Sequence, residues 1–303
     1  MVVDLFAGPG GWDEGARPLG VRPVGIEWDA AACLTAAAAG HLRVQADVAQ
    51  LPLAQMVGKV SGLIASPPCQ DFSLAGKQAG ITGPKGQLIA EVLRWTDALR
   101  PEWVACEQVP PCLDIWRQYA ATMRGWGYRT WVGVLNAADY GVPQTRKRAI
   151  LLASRTRRPQ RPVTTHAKGG DVDLFGNRDP WVSMATALGW GMSTPIMFGH
   201  AGNGVQWYAA GVTGEGRPKN PATQPADTLT GKGTAYWQNQ SLSVRVSVQE
   251  TAVLQSFPTD YPWQGSRTKQ YEQVGNAVPP RLATHILAEL LGVPVLTHLQ
   301  AAS

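Results

Sequence analysis

The stretch DLFAGPGGWDEG, residues 4–15, follows a short apolar run and opens a helical one. Gly8, Gly10 and Gly11 let backbone approach a ligand closely at the carboxyl end of a strand, the place where open α/β sheets bind cofactors. The loop does not read G-x-x-x-x-G-K-S/T and contains no Lys or Arg, so it lacks the cation of a phosphate cradle. Asp13 and Glu14 stand at the start of the helix instead, where negative charge opposes the pyrophosphate that a helix N-terminus otherwise favours. The loop thus asks for a cofactor without phosphate. S-adenosylmethionine, which carries a sulfonium, an ammonium and a carboxylate, meets that demand.

Working outward, short apolar runs alternate with helical patterns. The runs at 2–6, 24–27, 43–45, 62–65, 103–107, 131–135 and 150–153 predict strands. Asp29 can cap an alanine-rich helix through Ala39, and Leu88, Val92, Trp95 and Leu99 recur at helical spacing. Strands alternating with helices require crossovers, hence an α/β fold with a doubly wound, mostly parallel sheet of Rossmann-like form. After Ala153 a basic, proline-punctuated exit, SRTRRPQRP, leads into 164–240, which is rich in Gly, Pro, Thr, Asn and Trp and weak in periodicity. A smaller domain of irregular and β structure is expected there. The larger domain would comprise 1–163, completed by 241–303, where Leu282, Ile286, Leu287 and Leu290 mark an amphipathic helix that Gly292 ends. That helix is expected beside the first strand.

Successive strand ends carry the groups a nucleoside needs. Glu27 lies about 20 residues beyond the glycines, where a carboxylate can take ribose hydroxyls. Trp28 offers an aromatic face for adenine, and Asp47, at the end of the third strand, can accept from its amino group.

Composition narrows the class further. The chain has 303 residues, 44% hydrophobic and 16% charged, which is enough for a sizeable core. A net charge of +5 favours an anionic partner. Cys33, Cys69, Cys106 and Cys112 show no CxxC pairing or zinc-like spacing with histidine, so a reducing compartment without a structural metal is expected. The start, MVVDLFAGPGG, lacks a basic n-region, and no apolar run approaches ~18 residues. Neither secretion nor membrane insertion is expected.

Of the four cysteines, Cys69 stands apart. The fourth strand delivers Pro67, Pro68 and Cys69 to the ligand edge, and the prolines stiffen the loop that holds the thiol. Cysteine is nucleophilic enough to act without a histidine partner. The fifth strand ends in ACEQV, placing Glu107 beside it as a general acid. The other three cysteines read as small buried hydrophobes.

In order, and over nearly the whole chain outside 164–240, these motifs resemble the C5-cytosine DNA methyltransferases. DLFAGPGG is similar to that family's cofactor loop, IEWD to its ribose and adenine contact, and ADV to its third-strand aspartate. PPCQDFS resembles the catalytic loop, EQV the catalytic glutamate motif and QTRKR the arginine motif. RVSVQETAVLQSFP and QVGNAVPPRLA resemble the two C-terminal motifs. One departure is Gln108, where the family usually has Asn.

The resemblance implies the class I methyltransferase sheet, with 164–240 as target-recognition domain. It implies S-adenosylmethionine as cofactor and S-adenosylhomocysteine as product, held by Phe6, Ala7, Gly8, Gly10, Gly11, Glu27, Trp28, Asp47, Val48, Pro67, Asn276 and Val278. Cys69 is implied as the nucleophile at C6 of a flipped-out cytosine, Glu107 as donor at N3, and Arg146 and Arg148 as contacts to O2 and nearby phosphate. Gln70, Ser73 and Gln144 are implied DNA contacts, and Arg155, Arg157, Arg158 and Arg161 extend QTRKR into a phosphate-facing strip. Arg245 and Glu250 read as organisers of the smaller domain. There, Asn203, Gln206, Arg217, Lys219, Thr228, Thr230 and Lys232 have side chains suited to groove contacts, while Trp181, Trp190, Trp207 and Trp237 are expected in its core.

The implied partner is double-stranded DNA, with a cognate restriction endonuclease as a compatible second. A monomer in a prokaryotic or phage-infected cytoplasm is expected. Two readings compete: an RNA (tRNA) cytosine-5 methyltransferase, and a catalytically silent DNA-binding protein on the same fold. The sizeable irregular domain weighs against the first, and Gln108 is the one hint of the second.

Overall fold

The alternating runs fold as β1 (Val2–Leu5), α1 (Gly11–Ala16), β2 (Val24–Glu27), α2 (Ala30–Ala38), β3 (Leu42–Gln45) and β4 (Gly62–Ala65). They continue as α3 (Glu91–Leu99), β5 (Trp103–Gln108), α4 (Leu113–Gly125), β6 (Arg129–Asn136) and β7 (Lys147–Ser154). The computed structural model describes residues 1–68, 86–173, 176–191, 196–200, 207–208, 211–212, 220–239 and 242–295. Asp29 caps α2 as its position implied, accepting from the Ala32 N–H at 3.0 Å.

Among the described residues these strands make a seven-stranded sheet in the order β3-β2-β1-β4-β5-β7-β6. β3 through β5 are parallel neighbours, as expected for a doubly wound fold. β4 and β5 are buried along their full length, the mark of strands covered on both faces. Val3, Leu5, Leu63 and Val104 pack with Val92, Trp95 and Leu99 of α3 and Trp116 and Met123 of α4. Cys106 and Cys112 sit fully buried in this unit, and burial pushes the Cys106 thiol up.

β7 runs antiparallel to β5, with Gln108 opposite Ala149 and Trp103 opposite Ser154. The reversal brings Lys147 and Arg148 to the carboxyl edge of the parallel strands. It sends the chain after Ser154 to the opposite edge, about 17 Å away for five strand steps.

The chain divides into two compact units: Met1–Leu135, Lys147–Val163 and the chain from Leu282 form one, and Asn136–Arg146 with Thr164–Arg281 the other. The second is irregular and β-rich, as expected. It holds β8 (His166–Ala167), β9 (Asp171–Asp173), β10 (Gly176–Pro180), α5 (Met184–Ala187), β11 (Met197–His200), β12 (Trp207–Tyr208), β13 (Gly211–Val212), β14 (Asn220–Pro221), β15 (Ala235–Asn239), β16 (Leu242–Arg245), α6 (Val248–Leu254) and α7 (Arg267–Asn276). The order β14-β11-β15-β16 is antiparallel throughout. Trp237 packs edge-on to Trp190 at 4.8 Å and to Phe198 at 5.3 Å, so these tryptophans are core.

This unit is larger than the expected 164–240, because β16 pairs with β15 and Val246 and Leu254 complete its core. Glu250 closes a capping box with Ser247, and Arg245 lies over the Tyr271 ring at 4.2 Å while donating to the Gly233 carbonyl. Both organise the unit. The last helix, α8 (Pro280–Leu291), buries Leu282, Ile286, Leu287 and Leu290, and Thr284 Oγ1 donates to the Gly15 carbonyl of α1 at 2.8 Å. No helix among the described residues is long and apolar enough to cross a membrane.

Candidate active site

The parallel strands bring Leu5, Glu27, Gln45, Ala65 and Gln108 to one edge of the sheet, and the loops that follow them build the site. After β1 the backbone turns left-handed at Phe6 (φ 60°), Gly8 (φ 55°) and Gly10 (φ 112°). A left-handed Phe is strained and persists only where its surroundings enforce it. Here the Ala7 N–H donates to the Ile26 carbonyl at 3.1 Å. Glu27 grips the loop from the next strand: its carboxylate accepts from the N–H groups of Gly8 (2.9 Å), Trp28 (2.9 Å) and Asp29 (2.8 Å). Beside it the Trp28 side chain stands open, 71% exposed. Asp47 is exposed and accepts from the Ala49 N–H, and the carbonyl of buried Val48 is held by Arg94 at 2.8 Å.

Charge beneath the loop is arranged differently from the sequence expectation. Asp13 is buried and takes a bidentate pair from Arg43 of β3, at 3.1 and 2.7 Å, while Arg43 Nε points to the Gly8 carbonyl at 3.4 Å. Glu14 lies 2.7 Å from Arg17 and 2.8 Å from His41. The two acids are therefore neutralised by bases outside the loop, so they do not confront a ligand with bare negative charge. Sequence reading missed Arg43; the available signal was Gly25, a glycine inside β2. A Cβ there would come within 2.2 Å of Arg43 Nη1 and 2.7 Å of the Ala7 side chain, so glycine opens the passage for the guanidinium.

Asp4 on β1 is wholly buried next to this cluster, and neither carboxyl oxygen has a hydrogen-bond partner among the described residues. Burial, then the Asp13 carboxylate, push its carboxyl well above the ordinary 3.8, against the opposing pull of Arg43. The native chain thus keeps a proton that the unfolded chain releases, and stability is lost as pH rises above about 4, at about 1.4 kcal/mol per pH unit until the raised value is passed. Asp4→Asn, neutral at every pH, should gain on the parent by that slope. Urea midpoints measured at steps upward from pH 4 check it, and parallel curves for the two proteins would refute the assignment.

At the far side of β1, Trp12 Nε1 donates to Ser66 Oγ at 2.9 Å, tying α1 to the loop after β4. Pro67 is buried, and its carbonyl accepts from Gln108 Nε2 at 2.8 Å, while Gln108 Oε1 accepts from the Val109 N–H at 2.6 Å. Gln108, the departure from the family pattern, is thus a buried tether for the segment entering the cysteine loop. Ala65 pairs with Cys106, which sets Glu107 alongside Ser66. Glu107 is 7% exposed and its carboxylate meets Arg148 Nε at 2.8 Å; Arg148 Nη1 donates to the Lys147 carbonyl. Cys69, Gln70 and Ser73 lie outside the described residues, as do Asn203, Gln206, Arg217 and Lys219.

Two groups of expected contacts are corrected. Gln144 is fully buried; its amide donates to Leu254 O and Gln255 Oε1 and accepts from the Leu229 N–H, which leaves it nothing to offer DNA. Arg155, Arg157 and Arg158 follow Ser154 at the edge opposite Glu107. Arg155 donates to the Arg100 carbonyl and Arg157 lies 3.9 Å from Glu289, so they do not extend the QTRKR site.

Arg146 lies in the second unit, 2% exposed, donating to the carbonyls of Leu229 (2.9 Å), Gly275 (2.8 Å) and Ala277 (3.4 Å). It caps the carboxyl end of α7, just where Asn276 and Val278 lie, with a cation that favours the helix dipole. The same residues anchor the loop bearing Thr228, Thr230 and Lys232. Thr228 bonds the Thr145 carbonyl, and a Cβ on Gly275 would strike Gly231 N at 2.1 Å. Thr230 and Lys232 remain exposed.

Comparison with known proteins identifies the family. A family model described as C-5 cytosine-specific DNA methylase matches residues 1–174 and 184–292. The chain is 29% identical to the type II methyltransferase M1.HphI of Haemophilus parahaemolyticus, over 95% of this chain and 86% of that protein. It is 30% identical to the type II methyltransferase M.AplI of Arthrospira platensis, over 94% and 84%. Its fold is similar to that of the S. pombe Dnmt2 methyltransferase, with a TM-score of 0.69, 16% identity and coverage of 96% and 98%. It is also similar to the Entamoeba histolytica methyltransferase EhMeth, with a TM-score of 0.68, 13% identity and coverage of 96% and 97%. With a matched family model spanning both units, the chain belongs to the C-5 cytosine-specific DNA methylase family, the DNA cytosine-5 methyltransferases.

Proposed function

We propose that the protein methylates C5 of a flipped-out cytosine in a specific DNA site, using Cys69 as nucleophile and S-adenosylmethionine as donor. The observation that carries this reading is the adjacency of two strand ends: Glu107, the last residue but one of β5, lies beside the Ser66-Pro67-Pro68 segment that leads to Cys69. The loop after β1 suits an adenosine ligand, with a left-handed glycine backbone, the Glu27 carboxylate at the next strand end and an open indole at Trp28. Phe6, Ala7, Gly8, Gly10, Gly11, Glu27, Trp28, Asp47, Val48 and Pro67 would hold it. S-adenosylmethionine supplies, when bound, the electrophilic methyl group that C5 accepts.

The chain's own residues do the rest. The Cys69 thiolate forms a bond to C6 as Glu107 presents its carboxyl to N3, so that the ring electrons gather at C5. Arg148, bonded to Glu107, fixes the carboxyl's direction and acts as its positioning residue. Loss of the C5 proton to solvent later re-forms the C5–C6 double bond and expels the thiolate. Flipping the base costs a few kcal/mol, lower where the pair is already weakened. Thr230 and Lys232, on the loop anchored by Arg146, are the recognition-unit side chains assigned to the DNA. A monomer acting beside a cognate endonuclease completes the proposal.

The test uses duplex DNA carrying 5-fluorocytosine, which cannot lose its C5 substituent. A pool of random sites incubated with protein and S-adenosylmethionine should yield a denaturation-resistant adduct that disappears in Cys69→Ser. A pool that traps nothing, or a Cys69→Ser variant that still traps, overturns the mechanism.

A further inference from the structure

We propose that Arg43 is a positioning residue for the cofactor loop, acting through the Gly8 carbonyl from beneath the sheet edge; the inference rests on the cofactor reading above. Arg43 belongs to edge strand β3, yet its guanidinium crosses under β2 through the gap that Gly25 leaves, within 2.2 Å of where a Cβ would sit. It ends in a bidentate bond to Asp13 of α1 with side chains only 3% and 2% exposed. From there Nε reaches the Gly8 carbonyl at 3.4 Å, while Glu27 holds the Gly8 N–H at 2.9 Å. Gly8 is thus gripped from both sides, the peptide that follows it at its carbonyl by a guanidinium and the peptide that precedes it at its N–H by a carboxylate. The loop it belongs to has left-handed backbone at Phe6, Gly8 and Gly10.

Energetics favour positioning over stability as the role of this pair. A buried ion pair is commonly replaced by apolar residues of similar volume without loss of stability, because desolvation offsets the attraction. Geometry is what an apolar pair cannot reproduce. Lysine cannot reproduce it either: a point charge with no planar fork does not span two Asp13 oxygens and the Gly8 carbonyl together. Asp4, buried alongside with no hydrogen-bond partner among the described residues, and Glu27, committed to three N–H groups, are also acids near the guanidinium.

Two variants test the proposal. Arg43→Lys should keep the fold and bind S-adenosylhomocysteine about ten-fold more weakly by calorimetry, the loss of roughly one charge-assisted hydrogen bond. Its cofactor KM should rise with kcat little changed, since Arg43 touches no reacting atom. The double change Arg43→Met with Asp13→Leu should melt near the parent temperature and bind no better than Arg43→Lys. In both, amide exchange of the peptide covering residues 4–15 should accelerate without cofactor present, while peptides from α3 and α4 stay protected. Parent-like affinity together with parent-like loop exchange in Arg43→Lys overturns the proposal. A parent protein that does not bind S-adenosylhomocysteine, with loop exchange still quickened in the variants, sinks the cofactor assignment and leaves the loop role standing.

Discussion

Glu107→Gln should lower single-turnover methyl transfer by about 10²–10⁴-fold, the usual contribution of a positioned acid–base group, with S-adenosylhomocysteine affinity unchanged. The expectation follows from where the side chain sits. Glu107 is all but buried at the end of β5, its carboxylate meets Arg148 at 2.8 Å, and its backbone is locked to Ile150 by the β5–β7 register. Glutamine keeps the shape and one acceptor for Arg148 but loses the charge and the exchangeable proton. Breaking a buried pair outright costs about 3–5 kcal/mol; here one hydrogen bond survives, so a melt should show a smaller loss and a folded enzyme. Rates per folded molecule within ten-fold of the parent would remove Glu107 from the mechanism. Reduced affinity for S-adenosylhomocysteine would show that the change had spread to the loop after β1.

The parallel half of the sheet was legible because its strands are continuous apolar runs ended by punctuation. Val24–Glu27 and Gly62–Ala65 form over the predicted residues, and β1 and β5 differ from prediction by one residue. Direction is another matter. Apolar residues at 150–153 look alike in either orientation, and only the pairing of Trp103 with Ser154 shows that β7 runs backwards. That reversal moved Arg155, Arg157 and Arg158 to the wrong edge, although their charge and spacing were read correctly. Residues that act through a partner were hidden for a related reason. Only Gly25, eighteen residues away in the chain, hints that Arg43 crosses β2 to reach Asp13, and nothing local announces that Gln144 and Arg146 spend their donors on Leu254, Leu229 and Gly275. Those bonds span up to 129 residues of chain, and a motif such as QTRKR looks the same whether its groups face a ligand or a carbonyl.

Gln108 shows the same limit, and it yields the second large effect: Gln108→Asn, which installs the residue usual in the family, should slow the enzyme. Gln108 is 2% exposed and makes two bonds at once, donating to the Pro67 carbonyl at 2.8 Å and accepting from the Val109 N–H at 2.6 Å. Asparagine is shorter by one methylene, about 1.5 Å, so from the same backbone it cannot keep both. Pro67 stands two residues before Cys69, and a misplacement of about 1 Å at a reacting group can cost 10²-fold. The expected fall in adduct formation with 5-fluorocytosine DNA is therefore about 10–100-fold, with DNA affinity nearly unchanged. Gln108→Glu should do worse, because a carboxylate set against the Pro67 carbonyl replaces a donor with a second acceptor and leaves a buried group unsatisfied, at about 1–3 kcal/mol. If Gln108→Asn forms adduct at the parent rate, the tether does not set the thiol's position. If DNA affinity falls in step with the rate, Gln108 acts on substrate binding and the loop argument fails.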